Sequence, residues 1–226
     1  MPGDPSQLEL IAEKARAVLD ARNAARDETL PISREVIRTC ANTIRAAHRG
    51  EIDRAREMLR GARDAVSQMR TALQAHPEIY SAGYVHDCQK ELAEASAFLA
   101  LVSDQPIPDP DELGVEYPAY LNGLGETVGE LRRHTLDVMR HGRLHEAEAV
   151  LQKMDEIYHV LVTIDYPDAL TGGLRRTTDS VRGIIEKTRG ELTTALCGEG
   201  LRLTIQQAIA ALRPADSPPD DEKEPA

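Results

Sequence analysis

Apolar residues recur every three or four positions along most of the chain, which is the pattern of one buried face of an α-helix. Good helix formers dominate and clusters of β-branched residues are scarce, so the pattern predicts an all-α protein. The segment 104–115 contains three prolines and is predicted to be an extended connection. The predicted long helices cover, approximately, residues 6–27, 33–50, 51–75, 82–103, 117–140, 144–164 and 174–212.

A length of 226 residues, 41% of them hydrophobic, favours one domain with one core. We predict a single helical domain over residues 1–213 and a disordered tail over 214–226, where four prolines and five acidic residues leave nothing to bury. The chain has neither a signal-peptide pattern nor an apolar run long enough to span a bilayer. We therefore expect a cytoplasmic protein without a membrane partner.

Two features of the composition exclude common binding modes. Only 3% of residues are aromatic, with no Trp, so a platform that stacks bases is not expected. The three cysteines show neither zinc-site nor disulfide-framework spacing, and we expect them to be reduced thiols in the core.

The net charge of −11 argues against nucleic-acid binding by the average surface. However, the cations are mostly Arg, and an acidic, Lys-poor, Arg-rich chain is typical of proteomes adapted to high salt or high GC content.

Basic residues are concentrated in one part of the chain. Residues 34–70 hold nine Arg and five acids, a local charge of +4. On a helical wheel, Arg34, Arg38, Arg45 and Arg49 fall within about 60° of arc, with His48 about 40° to one side. Such an arginine stripe could contact a phosphate backbone, or it could be a solvated face paired with acids of a neighbouring helix or subunit. Further cationic candidates are Arg132, Arg133, His134, Arg175 and Arg176.

Two acidic residues, Glu91 and Glu94, lie in a segment, 91–102, that is otherwise almost entirely apolar. A helix that is apolar on nearly every face should be buried, and a buried carboxylate needs a cation, a metal or a hydrogen-bond donor. The two side chains lie about 60° apart around the helix, so they can converge on one ion.

A second acidic pair, Glu126 and Glu130, has the i, i+4 spacing that places both on one helix face. Gly125 and Gly129 lie beside them and could let another helix backbone approach closely. We hypothesise that this helix crosses the Glu91 helix and brings four carboxylates together, where Mg²⁺ or Mn²⁺ would relieve a repulsion of roughly 4 kcal/mol per close pair. The alternative is that the acids are merely solvated or paired with Arg, because such spacings are frequent in a chain so rich in acid.

Five stretches of the chain together match a known family: 33–51, 88–98, 120–133, 157–167 and 173–192. The match is most specific in YLNGLGETVGELRR, residues 120–133. In these stretches the chain resembles the translin superfamily, and in particular its archaeal Trax-like branch, over roughly residues 8–195. It implies a single-domain antiparallel bundle of about seven helices that assembles into a closed, octamer-like homo-oligomer around RNA or single-stranded DNA.

The resemblance also implies a function. The Trax type is a metal-dependent endoribonuclease acting on single-stranded RNA, whereas the translin type lacks the acid cluster and mainly binds. The Trax-type acids match Glu91, Glu94, Glu126 and Glu130, with Glu126 standing where the family has Asp. We therefore expect a Mg²⁺-dependent endoribonuclease that uses these four residues as catalytic metal ligands, with a binding-only shell as the alternative.

Overall fold

The computed structural model describes residues 6–212, and every regular element in that range is a helix. The predicted disordered tail lies outside this range. Three of the helices are single turns that connect longer ones. The helices are α1 (Gln7–His48), α2 (Ile52–Ala72), α3 (Pro77–Tyr80), α4 (Gly83–Val102), α5 (Pro110–Leu113), α6 (Tyr117–Arg140), α7 (Leu144–Val162), α8 (Asp168–Thr171) and α9 (Leu174–Leu212).

Helices α4 and α6 pack against each other at the centre of the fold. On one side α4 packs against α1 and α2, and on the other side α6 packs against α7 and α9. The short turns that join α1 to α2 and α6 to α7 make each of these pairs antiparallel. All residues from Leu92 to Ala100 of α4 are buried, which confirms the burial expected from its apolar sequence.

Helix α1 is continuous where the sequence predicts two helices separated near Pro31, so that predicted boundary is wrong. Proline cannot donate a hydrogen bond to the carbonyl four residues earlier, and such a position costs about 3 kcal/mol in an isolated helix. Contacts with α4 hold this part of α1 in place. The Ser33 hydroxyl donates to the carbonyl of Tyr84 (2.8 Å), and the Tyr84 and Thr29 hydroxyls are hydrogen-bonded (2.8 Å).

The first half of α1 and the last turns of α9 extend beyond the packed body. Residues 7–24 are almost all exposed, as are residues 200–211. Large apolar side chains nevertheless occur on both extensions. They are Leu8, Leu10, Ile11, Val18 and Leu19 on α1 and Leu201, Leu203, Ile205 and Ile209 on α9.

Two smaller expectations are corrected by the structure. The connection 104–115 is not wholly extended, because it contains α5, which begins after the N-cap Asp109 and ends at Leu113, before the C-cap Gly114 with φ = 68°. Cys40 and Cys88 are buried free thiols as expected, but Cys197 is exposed on α9. Among the helices between residues 6 and 212, none combines the length and hydropathy that crossing a bilayer requires.

Candidate metal centre and nucleic-acid interface

The crossing of α4 and α6 brings three carboxylates together. Glu91 and Glu94 on α4 and Glu126 on α6 each offer an oxygen, and these oxygens all lie within 4.8 Å of one another. The crossing is close because α6 has no side chain at Gly123. A Cβ there would lie 2.4 Å from the backbone oxygen of Lys90. We call Glu91, Glu94 and Glu126 the acid cluster.

The glycine responsible for this approach differs from those suggested by the sequence. Gly125 does permit a close contact, but with α9: a Cβ at Gly125 would lie 2.4 Å from Cγ2 of Thr177. A Cβ at Gly129 would meet nothing within 4 Å, so the expectation that Gly129 admits another helix is wrong. The predicted crossing of the two acid-bearing helices is confirmed, and Gly123 is the residue that makes it possible.

Burial makes the negative charge of the acid cluster costly. Glu94 is only 9% exposed. Desolvation, with the charges of Glu91, Glu126 and Glu130, raises the pKa of Glu94 to about 8. Desolvation also raises the pKa of Glu91. At neutral pH the cluster therefore favours a bound cation or a bound proton.

Lys90 provides the cation that contacts the cluster in this structure. Its Nζ lies 2.7 Å from a carboxylate oxygen of Glu126 and 4.0 Å from one of Glu91. Burial lowers the pKa of Lys90, but the hydrogen bond to Glu126 and the surrounding acids outweigh this and raise it overall. Lys90 is thus held as an ammonium at one edge of the cluster.

Glu130, the fourth predicted ligand, lies one turn beyond Glu126 and has a different partner. Its carboxylate is 2.6 Å from Nε2 of His48 on α1. This hydrogen bond holds the pKa of Glu130 below its usual range despite partial burial. Glu130 still raises the pKa of Glu94 through its charge, so it belongs to the electrostatic surroundings of the cluster.

The sequence groups His48 with the arginine stripe, but the structure places its side chain elsewhere. Its side chain is 5% exposed, and its ring packs against Phe98 with the centroids 4.6 Å apart. It therefore faces inward, toward Glu130, rather than outward with the stripe. Nothing in the sequence signals this contact, because the two residues are 82 positions apart.

The four arginines of the stripe, Arg34, Arg38, Arg45 and Arg49, are all exposed on α1. Three of them have short-range partners within α1 or at its end. Arg38 pairs with Glu35, Arg45 donates to Asn42 (2.6 Å) and Arg49 donates to Glu51 (2.6 Å). Exposed pairs of this kind contribute about 0–1 kcal/mol, so a phosphate can replace the carboxylate at little cost. His48 follows Arg45 by less than one turn, so the last arginines of the stripe and the contact with Glu130 lie at the same end of α1.

A cleft of about 410 Å³ opens beside the acid cluster, between α6 and α9. Glu94 and Glu126 line one side of it. The other side is formed by residues of α9: Arg176, Thr177, Ser180, Val181 and Ile184. The cluster is therefore accessible to a ligand from solvent, and the opposite wall of the cleft carries a cation.

Solved structures of AfC3PO match both the sequence and the fold of this chain. The structure of AfC3PO in complex with duplex RNA is 34% identical to it, covers 83% of this chain and 97% of the AfC3PO chain, and superposes with a TM-score of 0.77. The chain belongs to the translin/Trax-like C3PO family. A crystal structure of AfC3PO gives the same identity and coverage with a TM-score of 0.76. The resemblance and the all-α fold expected from the sequence are thereby confirmed.

Two further proteins are similar to this chain, one in fold and one in sequence. The structure of apo-NeC3PO is 22% identical over 85% of this chain and 99% of its own, and its TM-score of 0.72 shows the same fold. An uncharacterized protein of Methanocaldococcus jannaschii is 33% identical over 193 residues, which are 84% of this chain and 85% of that protein. No family model matches the chain.

The acid cluster of this C3PO-family chain has the donor set that a hard divalent cation prefers. Mg²⁺ and Mn²⁺ bind carboxylate oxygens in preference to the nitrogen and sulfur ligands typical of zinc. Three carboxylates converge here, and among residues 6–212 no hydrogen-bond donor reaches the buried carboxylate of Glu94. A single ammonium, from Lys90, is hydrogen-bonded to Glu126 and lies 4.0 Å from Glu91, so one positive charge faces three carboxylates. The residues present therefore fit Mg²⁺ or Mn²⁺.

Proposed function

We propose that this C3PO-family protein is a Mg²⁺- or Mn²⁺-dependent endoribonuclease that cleaves single-stranded RNA inside a homo-oligomeric, octamer-like shell. The observation that carries the proposal is the convergence of three carboxylate oxygens within 4.8 Å beside an open cleft. The structure of AfC3PO with duplex RNA supports RNA as the ligand, because that relative is similar to this chain over most of its length.

Glu91, Glu94 and Glu126 would hold the ion, and Glu130 would complete the site from one turn further along α6. A divalent ion in such a site supplies a Lewis acid for the phosphoryl oxygen and lowers the pKa of a bound water. The hydrogen bond from His48 keeps Glu130 ionised and fixes its direction. His48 thereby acts as a positioning residue, whereas the sequence placed it among the nucleic-acid contacts.

Arg34, Arg38, Arg45 and Arg49 would contact the phosphate backbone without reading its sequence. Their guanidinium groups are exposed, and they follow one face of α1. Because the same helix contributes His48 to the contact with Glu130, a strand bound along the stripe would lead toward the part of the fold that carries Glu130. This continuity favours a phosphate-binding role over a solvated face.

The exposed apolar residues on the extensions of α1 and α9 support the proposed homo-oligomer. Monomeric proteins rarely expose such a series of large aliphatic side chains, and contacts between protomers would bury them. We expect light scattering coupled to size-exclusion chromatography to give the mass of several protomers. A monomer at micromolar concentration in high salt would contradict this part of the proposal.

The nuclease proposal is tested with labelled single-stranded RNA in Mg²⁺, in Mn²⁺ and in EDTA. We expect cleavage by the parent protein that stops in EDTA and falls at least about a hundredfold in Glu94→Gln, because loss of a metal ligand removes most of the metal's effect. Glu57→Gln is the matched control, since Glu57 is an exposed acid of α2 whose partner is Arg60. Equal cleavage by the parent and Glu94→Gln would refute the metal assignment.

The second candidate is a shell that binds RNA or single-stranded DNA without cleaving it. The Lys90–Glu126 ion pair favours this candidate, because an ammonium already occupies one edge of the cluster. Retention of RNA without cleavage in every divalent cation tested would support it. Mn²⁺-dependent cleavage would reject it.

A further inference from the structure

The cleft beside the acid cluster has a basic residue on the wall opposite the carboxylates. Arg176 lies in the first turn of α9 and lines the cleft together with Glu94 and Glu126. It is distinct from the arginine stripe, which lies on α1 at the other side of α4 and α6. Because Arg176 lies next to the proposed metal ligands, its guanidinium is placed to act on the same ligand as they do.

The guanidinium of Arg176 is not used in any ion pair within residues 6–212. Two other arginines of α9 are paired: Arg175 with Asp165 at 2.9 Å, and Arg189 with Asp155 at 2.7 Å. Of the two acids that line the cleft with Arg176, Glu126 pairs with Lys90 instead. A guanidinium without a carboxylate partner on the wall of a cleft is suited to bind an anionic ligand.

The backbone that carries Arg176 is held firmly against α6. The hydroxyl of the next residue, Thr177, donates to Oδ1 of Asn122 (2.7 Å), and Nδ2 of Asn122 donates to the carbonyl of Thr171 (2.8 Å). The methyl group of Thr177 packs directly over Gly125, where no Cβ could fit. These contacts fix the start of α9 relative to the helix that carries Glu126, so the distance across the cleft is a property of the fold.

We propose that Arg176 binds the phosphodiester group of RNA that enters this cleft, on the side opposite the acid cluster. This inference rests on the proposed function, in which the acid cluster holds a divalent cation. A phosphodiester has two non-bridging oxygens. A cation held by Glu94 and Glu126 would attract one, and the guanidinium of Arg176 would donate hydrogen bonds to the other. Arg176 thus places the phosphate between two positive groups.

The test compares Arg176→Ala and Arg176→Lys with Arg175→Ala, the adjacent arginine, which is paired with Asp165 and does not line the cleft. Mn²⁺ binding is measured by isothermal titration, and single-turnover cleavage of a labelled single-stranded RNA by gel. We expect all variants to bind Mn²⁺ as the parent does. Cleavage should fall about 10- to 100-fold in Arg176→Ala, the effect of losing a charged hydrogen-bond partner, and less in Arg176→Lys. Arg175→Ala should remain within about twofold of the parent.

Two readouts separate phosphate binding from a structural effect. Guanidinium chloride at millimolar concentration should partly restore cleavage by Arg176→Ala, which a misfolded variant would not show. The dependence of RNA affinity on salt should decrease in slope by about one for Arg176→Ala, since one phosphate contact is lost. If the parent cleaves and Arg176→Ala matches Arg175→Ala in rate and salt slope, the inference is wrong while the nuclease proposal stands.

If the parent fails to cleave RNA in any divalent cation, the proposed nuclease function is refuted, but the role of Arg176 can still be tested. RNA affinity, measured by fluorescence anisotropy in Mn²⁺, then judges Arg176 by itself: a several-fold loss in Arg176→Ala with a reduced salt slope supports phosphate binding. Equal affinities and slopes for the parent and Arg176→Ala would overturn it.

Discussion

The buried carboxylate of Glu94 should make the metal-free protein less stable as the pH rises. Its pKa is about 8 in the fold against an ordinary value of 4.5, so between these values the folded protein holds a proton that the unfolded chain has lost. The contribution of Glu94 to the unfolding free energy therefore falls as the pH rises from 4.5 to about 8 and does not change further above that pH. The full shift corresponds to a loss on the order of 5 kcal/mol.

The substitution Glu94→Gln isolates this effect, because glutamine has the shape of the protonated acid but cannot ionise. In EDTA and at one fixed protein concentration, we expect the variant to match the parent in urea unfolding near pH 5. Above pH 8 it should be more stable than the parent by several kcal/mol. Glu57→Gln, at a side chain that is 76% exposed, should show no such pH-dependent difference.

Metal binding gives the opposite signature. Saturating Mn²⁺ at pH 8 should stabilise the parent, because the dication stabilises the ionised carboxylates. Most of the difference in unfolding free energy between the parent and Glu94→Gln should then disappear. Glu94→Gln should gain much less. If the stability difference between the two proteins is independent of pH, or if Mn²⁺ stabilises them equally, the account of Glu94 as a buried charge within a cation site is refuted.

Three further changes test other parts of the structure. Gly123→Ala should lower the free energy of unfolding in urea by about 1–3 kcal/mol and weaken Mn²⁺ binding, because its methyl group would lie 2.4 Å from the α4 backbone. Gly129→Ala has free space around the new methyl group, so it should raise the free energy of unfolding by up to about 1 kcal/mol and bind Mn²⁺ as the parent does. Lys90→Met should bind Mn²⁺ more tightly in isothermal titration, because the competing ammonium is gone; weaker binding would show that Lys90 supports the site. Arg34→Ala combined with Arg38→Ala should weaken RNA binding in anisotropy assays and reduce the salt slope by about two, and an unchanged slope would exclude phosphate contacts by the stripe.

The acidic helix pair shows what local sequence can predict. The apolar run around Glu91 and Glu94 indicates burial, and buried acids at that spacing indicate a shared cation, both without knowledge of the neighbouring helices. The choice between Gly123 and Gly129 as the contact glycine cannot be made this way. The choice depends on the position along α6 at which α4 crosses it, and packing along the whole length of both helices sets that position.

Long-range contacts also explain the other differences between prediction and structure. The His48–Glu130 pair joins residues that local periodicity treats separately, so His48 could only be grouped with the arginines beside it. Pro31 is a strong local signal for a helix boundary, yet α1 continues through it, where hydrogen bonds join α1 to Tyr84. In both places a tertiary contact outweighs the local pattern.

The contact at Gly123 has a consequence for comparing members of the family. The spacing of the three carboxylates is set by a residue that has no side chain and takes no part in the chemistry. In a relative that keeps all four acids but has a larger residue at this position, α4 and α6 could not approach as closely, and the carboxylates would lie further apart. Whether another sequence of this family can form the proposed cation site should therefore be judged from this glycine together with the acids.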